Sequence, residues 1–199
     1  MPKTIDYFLT PVSPWSYLGH DRLVAIAARH GASIAPKLMD LSRVFPVSGG
    51  LPLPKRAPQR QAYRLMELRR WRDYLGIPIH FQPKFGAASG EPGTKWILAA
   101  REQGNKHALD LAGAIMRARW AEERDIAEET TLAAIAAALG LDAKALAARA
   151  ATPEIAARYE ADTQEAIDRQ VFGAPTYVYR DELFWGQDRL DFLDRALAQ

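Results

Sequence analysis

The chain has 199 residues, of which 48% are hydrophobic and 25% charged, and a formal net charge of +2 at pH 7. That balance suits a globular protein with material for a sizeable core and excludes the strongly basic profile of a general nucleic-acid binder. No cysteine is present, which removes disulfides, thiolate metal sites and a protein-thiol nucleophile; no apolar run is long enough to cross a bilayer and the start lacks a secretory signal pattern, so a cytoplasmic protein without membrane partners is expected.

In chain order, Ile5-Asp6-Tyr7-Phe8-Leu9 reads as a buried strand. Ser13-Pro14-Trp15-Ser16 then opens a helix, with serine suited to the N-cap and proline to the first turn. Leu18, Leu23, Val24, Ile26 and Ala27 approximate its apolar face, and His30-Gly31 closes it. Residues 34–39 form a weaker second strand, which completes a β-α-β unit with parallel strands.

From about residue 58 to 170 helix formers dominate, interrupted by a loop that Pro78, Pro83, Gly86, Gly90, Pro92 and Gly93 mark. Thr130 is expected to cap one helix and Thr152-Pro153 another. The alanine-rich stretches 132–139 and 143–150 point to close helix packing, and Trp71, Trp96 and Trp120 to core or inter-domain packing. Residues 176–179 and 183–185 flank Arg180-Asp181-Glu182 as an antiparallel hairpin, and residues 188–197 form a closing helix.

A β-α-β unit, a helical block and a β-β-α unit together make an α/β chain with the pattern of a thioredoxin-like fold carrying an inserted all-helical domain. The expected division is residues 1–57 and 171–199 for the discontinuous thioredoxin-like domain and 58–170 for the helical insertion. Val171-Phe172-Gly173-Ala174-Pro175-Thr176 stands where such folds carry a cis-proline before a strand.

Ser13 and Ser16 occupy the C-x-x-C frame of a dithiol site. A helix N-terminus there attracts anions but has no sulfur of its own. It suits the thiol of a bound ligand, with glutathione the candidate cofactor. Ser13 is equally suited to simple capping, and Ser16 reads as structural.

Lys55, Arg56, Arg60 and Arg64 form a basic cluster, extended by Arg69, Arg70 and Arg72. It is either a solvated face or a site for an anionic substrate. Asp188 can cap the last helix or receive a ligand ammonium. His20, His30, His80 and His107 share no metal-ligand spacing, so no metal is expected.

Ser13-Pro14-Trp15-Ser16-Tyr17-Leu18-Gly19, Asp40-Leu41-Ser42-Arg43-Val44, residues 171–176 and Phe184-Trp185-Gly186-Gln187-Asp188-Arg189 span the chain. In that order they resemble the 2-hydroxychromene-2-carboxylate isomerases and the related kappa-class glutathione transferases, of the DsbA-like branch of the thioredoxin superfamily. The resemblance implies a bacterial enzyme of aromatic compound catabolism, with Ser13 beside the glutathione sulfur. It further implies that Ala174 and Pro175 meet the glutathione backbone, and that Trp185, Gly186, Gln187 and Asp188 hold its γ-glutamyl end.

For the aromatic-acid substrate the family positions fall on Phe45, Pro54, Lys55, Arg56 and Phe85. The chain departs from the family there, with Phe45-Pro46 in place of a lysine, Pro54-Lys55-Arg56 in place of an Asn-Arg pair, and Phe85 for a tyrosine. The implied reaction is isomerisation of an unsaturated aromatic keto acid through a glutathione thiolate that Ser13 stabilises. The alternatives are kappa-type conjugation of an electrophile and a non-catalytic binding protein. A homodimer is compatible with all three.

Overall fold

Alternating side chains of strand β1 (Thr4–Leu9) face two separate layers in the computed structural model, which describes residues 2–199. Ile5, Tyr7 and Leu9 enter the larger core and Phe8 the smaller one on the opposite face, as the two-residue period of a strand requires. Helix α1 (Pro14–Arg29) leads to β2 (Ser33–Leu38), which pairs parallel with β1 from Thr4↔Ser33 to Leu9↔Leu38. Strand β3 (Thr176–Tyr179) lies antiparallel on the other side of β1, with Tyr177 opposite Tyr7. Strand β4 (Glu182–Trp185) completes the four-stranded order β2-β1-β3-β4.

Pro36 sits in β2, an edge strand, where a missing ladder donor is tolerated. The hairpin turn is tighter than the three residues expected: Arg180 and Asp181 alone make it, both at positive φ (50° and 63°), and Glu182 already pairs with Tyr179. Two positive φ values give the twist that matches flanking strands.

Between β2 and β3 run α2 (Leu41–Ser48), a 3-10 turn (Leu53–Lys55), α3 (Pro58–Leu75), α4 (Glu91–Arg101), α5 (Asn105–Trp120), α6 (Glu129–Ala138), α7 (Ala143–Ala150) and α8 (Pro153–Asp168). A second 3-10 turn (Gln187–Arg189) precedes α9 (Leu190–Leu197). The larger core joins Ile5, Leu18 and Tyr177 to Trp96, Ile115 and Leu146, so the sheet and the helical block share one apolar interior. Among the described residues no helix is long and apolar enough to cross a membrane.

Several local expectations are corrected. Thr130 lies inside the first turn of α6, whose N-cap is Glu128. Pro92 and Gly93 belong to α4 rather than to the loop; proline is tolerated in a first turn, and Gly93 lets the helix approach Ile115, where an added Cβ would stand 3.2 Å from Cγ2. Thr152 does hold the N-cap of α8, yet its hydroxyl donates to the Arg149 carbonyl at 2.9 Å and makes no cap bond. Asp188 sits in the 3-10 turn and does not cap α9, whose N-cap is Arg189.

Candidate active site at the start of the first helix

Ser13 occupies the N-cap of α1 with extended backbone (φ −91°, ψ 118°), and Pro14 fills the first helical position. Its Oγ accepts from the Ser16 N–H at 3.2 Å and donates to the Ala174 carbonyl at 3.0 Å. The serine is 6% exposed, which leaves its hydroxyl at a helix N-terminus with little competing water. There the unpaired backbone N–H groups favour negative charge.

The Ala174–Pro175 peptide is cis. Pro175 offers its carbonyl to the Gly186 N–H at 2.8 Å, which draws the segment after β4 to the same place. Trp185 is half-exposed and meets Phe172 edge-on, with ring centroids 4.7 Å apart. Gly173 makes this possible, since an added Cβ would fall 2.4 Å from the Trp185 Nε1. Ser13, Ala174, Pro175, Trp185 and Gly186 are therefore brought together, with two aromatic rings beside them.

Gln187 and Asp188 stand differently. Gln187 is 1% exposed and its Oε1 accepts from Arg22 at 2.6 Å, so its side chain faces inward. Asp188 is exposed, folds over Gly186, which adopts φ 100°, and pairs with Arg189 at 2.9 Å. Its carboxylate remains accessible to a cation.

Behind Ser13 lies a buried polar layer. Ser16 is fully buried and its hydroxyl has no partner among the described residues. Tyr7 and Tyr177 stack at 5.4 Å, and the Tyr177 hydroxyl occupies the space that a Cβ on Gly19 would need. Burial pushes both phenols above the ordinary range and also raises Tyr17, whose hydroxyl donates to the Pro78 carbonyl at 2.9 Å. Burial pushes His20 below its ordinary value of 6.5, so it stays neutral, with Nε2 bonded to the Leu109 carbonyl at 3.1 Å. None of these groups is hydrogen-bonded to the Ser13 hydroxyl, whose partners are the Ala174 carbonyl and the Ser16 N–H.

The C-terminal end of α5 braces two loops around the site. Trp120 donates through Nε1 to the Pro11 carbonyl at 3.1 Å and so holds the turn that leads into Ser13. Arg119, 3% exposed, donates to the Gly86 and Ala88 carbonyls at 2.7 and 3.2 Å. His80 N–H reaches the Trp120 carbonyl and Lys84 N–H the Glu123 carboxylate. Loop residues 77–90 are thereby fixed against Val12, which an added Cβ on Gly90 would approach to 2.5 Å. Sequence reasoning missed Arg119 as a site residue; it expected Trp120 to pack in the core, as it does, but not its bond to Pro11.

The expected substrate residues divide into two groups. Phe45 and Arg56 meet, the guanidinium lying 6.0 Å from the ring centroid, and Arg56 also donates to the Leu51 carbonyl. Pro54 and Lys55 are exposed in the neighbouring 3-10 turn. Phe85 stands on the braced loop, paired with Lys84 at 5.1 Å, and makes no described contact with Lys55 or Arg56.

The family description "DSBA-like thioredoxin domain" matches residues 4–198. The chain is 30% identical to a 2-hydroxychromene-2-carboxylate isomerase of Pseudomonas putida, covering 98% of this chain and 94% of the relative. It is 26% identical to glutathione S-transferase kappa 1 of Homo sapiens, over 100% and 92% of the two chains. The solved structure of a 2-hydroxychromene-2-carboxylate isomerase superposes with a TM-score of 0.83 at 29% identity, covering 98% and 94%.

Proposed function

This chain belongs to the DsbA-like thioredoxin family, in its 2-hydroxychromene-2-carboxylate isomerase group, and on that premise we propose a glutathione-dependent isomerase of unsaturated aromatic keto acids. The observation that carries the proposal is the Ser13 hydroxyl at the N-terminus of α1, bonded to the Ala174 carbonyl in a chain without cysteine. A carbonyl acceptor, a buried hydroxyl donor and a helix N-terminus are a fitting donor set for a peptide that carries a thiol. Ser13, Ala174, Pro175, Trp185, Gly186 and Asp188 would hold it, with Gln187 contributing backbone alone. When bound, glutathione supplies a nucleophilic thiolate that adds reversibly to the electron-poor double bond and leaves again, so that rotation becomes possible in between.

The work of the protein is electrostatic. A free thiol has a pKa of about 8.5. A helix N-terminus contributes up to ~2 kcal/mol to a partly buried anion, and a hydroxyl hydrogen bond to a charged group ~1.5–3 kcal/mol. At 1.36 kcal/mol per pKa unit, and with desolvation opposing, Ser13 and α1 lower the thiol by about two units. Ser13 acts as a donor to sulfur and not as a nucleophile, which agrees with a hydroxyl bonded to a backbone carbonyl and not to a basic side chain. Arg56 and Phe45 offer a cation and a ring for an aromatic acid. A cytoplasmic setting supplies the reduced peptide.

The likeness to a kappa-class transferase supports a second reading, in which the same site conjugates an electrophile and releases the product. Two measurements test the pair. The ultraviolet thiolate absorbance of bound glutathione is expected to titrate well below the free thiol, and an unshifted titration overturns both readings. Full recovery of glutathione after turnover marks the isomerase, and stoichiometric consumption into a thioether marks the transferase.

A further inference from the structure

Helix α3 turns Gln61, Arg64, Leu68, Trp71 and Leu75 away from solvent at helical spacing. Leu68 is fully buried, and Trp71 and Leu75 pack on the larger core. Arg64 stands in this same row, between Gln61 and the apolar Leu68, Trp71 and Leu75. It makes no ion pair and no hydrogen bond among the described residues. Other arginines withdrawn from solvent do have acceptors: Arg101 has Asp162, Arg119 the Gly86 and Ala88 carbonyls, and Arg22 the Gln187 side chain.

The charged neighbour that acts on Arg64 is another cation, Arg56, and both burial and that repulsion push the Arg64 pKa down. Arg56 is in turn lowered by burial and by Arg60. Gln61, one turn before Arg64 in the same row, donates to the Arg56 carbonyl at 2.8 Å, which holds Arg56 beside the start of that row, and neither guanidinium has an acidic partner among the described residues. Such an arrangement costs stability unless an anion completes it.

The place of this pair follows from topology. Because β1 and β2 run parallel, α1 and α2 both begin at the same end of the sheet, which sets Ser13 and Phe45 on one rim. Arg56 lies by Phe45, and α3 packs against α1. Along α3, Arg64 lies between the start of the helix at Pro58, two residues after Arg56, and Leu68, its buried contact with the core.

We propose that Arg64, together with Arg56, anchors a carboxylate of the electrophile that reacts at the Ser13 site. The inference rests on the functional reading above and adds to it the residue that selects acids over neutral analogues. An arginine fork matches a carboxylate in geometry as well as charge. The chemistry admits a second source, a carboxylate of glutathione itself, which the experiment separates.

Benzoate and benzamide serve as probes, titrated against wild type, Arg64→Gln and Arg64→Lys with glutathione present, alongside the glutathione Kd and the melting temperature. Arg64→Gln is expected to weaken benzoate on the order of tenfold or more, to leave benzamide and the glutathione Kd unchanged, and to melt no lower than wild type, since an uncompensated charge has been removed. Arg64→Lys keeps the charge and retains most of the benzoate affinity. Equal benzoate affinity in wild type and Arg64→Gln overturns the proposal. A weakened glutathione Kd with benzoate unchanged assigns the pair to glutathione and overturns it too, as does a lowered melting temperature with general loss of binding. Should wild type show no bound thiolate, the functional reading fails, while the benzoate-against-benzamide comparison still decides the role of Arg64.

Discussion

The Ser13 hydroxyl donates to the Ala174 carbonyl at 3.0 Å, joining the start of α1 to the turn before β3 across 161 positions of sequence. The two groups expected to hold a ligand here are hydrogen-bonded to each other. On the proposed reading a peptide thiol replaces that one bond with two, its amide N–H donating to the Ala174 carbonyl and its sulfur accepting a hydrogen bond from the Ser13 hydroxyl. The exchange leaves no buried polar group unpaired, which is what keeps such binding from being costly.

The helix N-terminus can be tested without any ligand. Ser13→Cys places a thiol where the backbone N–H groups converge, and its pKa is expected to fall below the ordinary value of about 8.5. The rate of alkylation against pH measures it. A thiol that titrates at or above the ordinary value would show that burial outweighs the helix.

Gly19 and Tyr177 form a steric pair. A Cβ on Gly19 would stand 2.6 Å from the Tyr177 hydroxyl and 2.9 Å from the Gln187 Cβ. Gly19→Ala is expected to cost about 1–3 kcal/mol through overpacking. Tyr177→Phe removes a hydroxyl that has no partner among the described residues and should relieve part of that cost. Chemical denaturation of both single variants and the double variant gives the coupling; additive losses would place the clash elsewhere.

Burial holds His20 neutral and lowers its pKa from 6.5. The sign follows directly. Above 6.5 neither folded nor unfolded chain binds the proton. Below it the unfolded chain takes up the proton before the folded chain does, so stability falls as the pH drops from 6.5 towards the lowered folded value, by at most about 1.4 kcal/mol per unit for this one group. Urea melts at pH 7.5 and 5.5 are expected to show a smaller loss for His20→Gln, which retains a donor for the Leu109 carbonyl. Equal losses would mean that other groups carry the acid sensitivity.

Arg119 and Trp120 brace different parts of the site and should separate in experiment. Arg119→Leu leaves the Gly86 and Ala88 carbonyls without a donor and is expected to raise amide exchange through residues 77–90. Trp120→Phe loses the Pro11 bond, worth about 0.5–1.5 kcal/mol, and is expected to raise the thiol pKa of bound glutathione instead. Identical exchange patterns in the two variants would contradict separate roles.

The strands and the helix at Ser13 are legible in the sequence because local signals agree there: an apolar run from Ile5 to Leu9, a Ser-Pro cap, and a hairpin of β-branched and aromatic residues. The Ser13, Ala174 and Gly186 constellation could be reached only by adding the resemblance carried by distant motifs. Thr130 misled because a good capping residue was read without the turn before it, and Pro92 because proline breaks a helix only past its first turn. The Trp120 bond to Pro11 spans 109 positions and leaves no pattern in either segment. In the sequence Arg64 is one member of a basic cluster, either solvated or anion-binding, and is not singled out, since a count of charges along α3 does not say which face each one takes.

The larger core crosses from β1 and α1 into α4, α5 and α7 without a break. A ligand bound at the Ser13 end of the sheet is therefore expected to stabilise the helical block as well, and the buried tryptophans to report it. At a ligand concentration of 100 times Kd, binding adds about 2.7 kcal/mol to the native state. For a chain of this size that is a rise of roughly 5–10 °C in Tm, to be read from Trp96, 4% exposed in α4, as one cooperative shift.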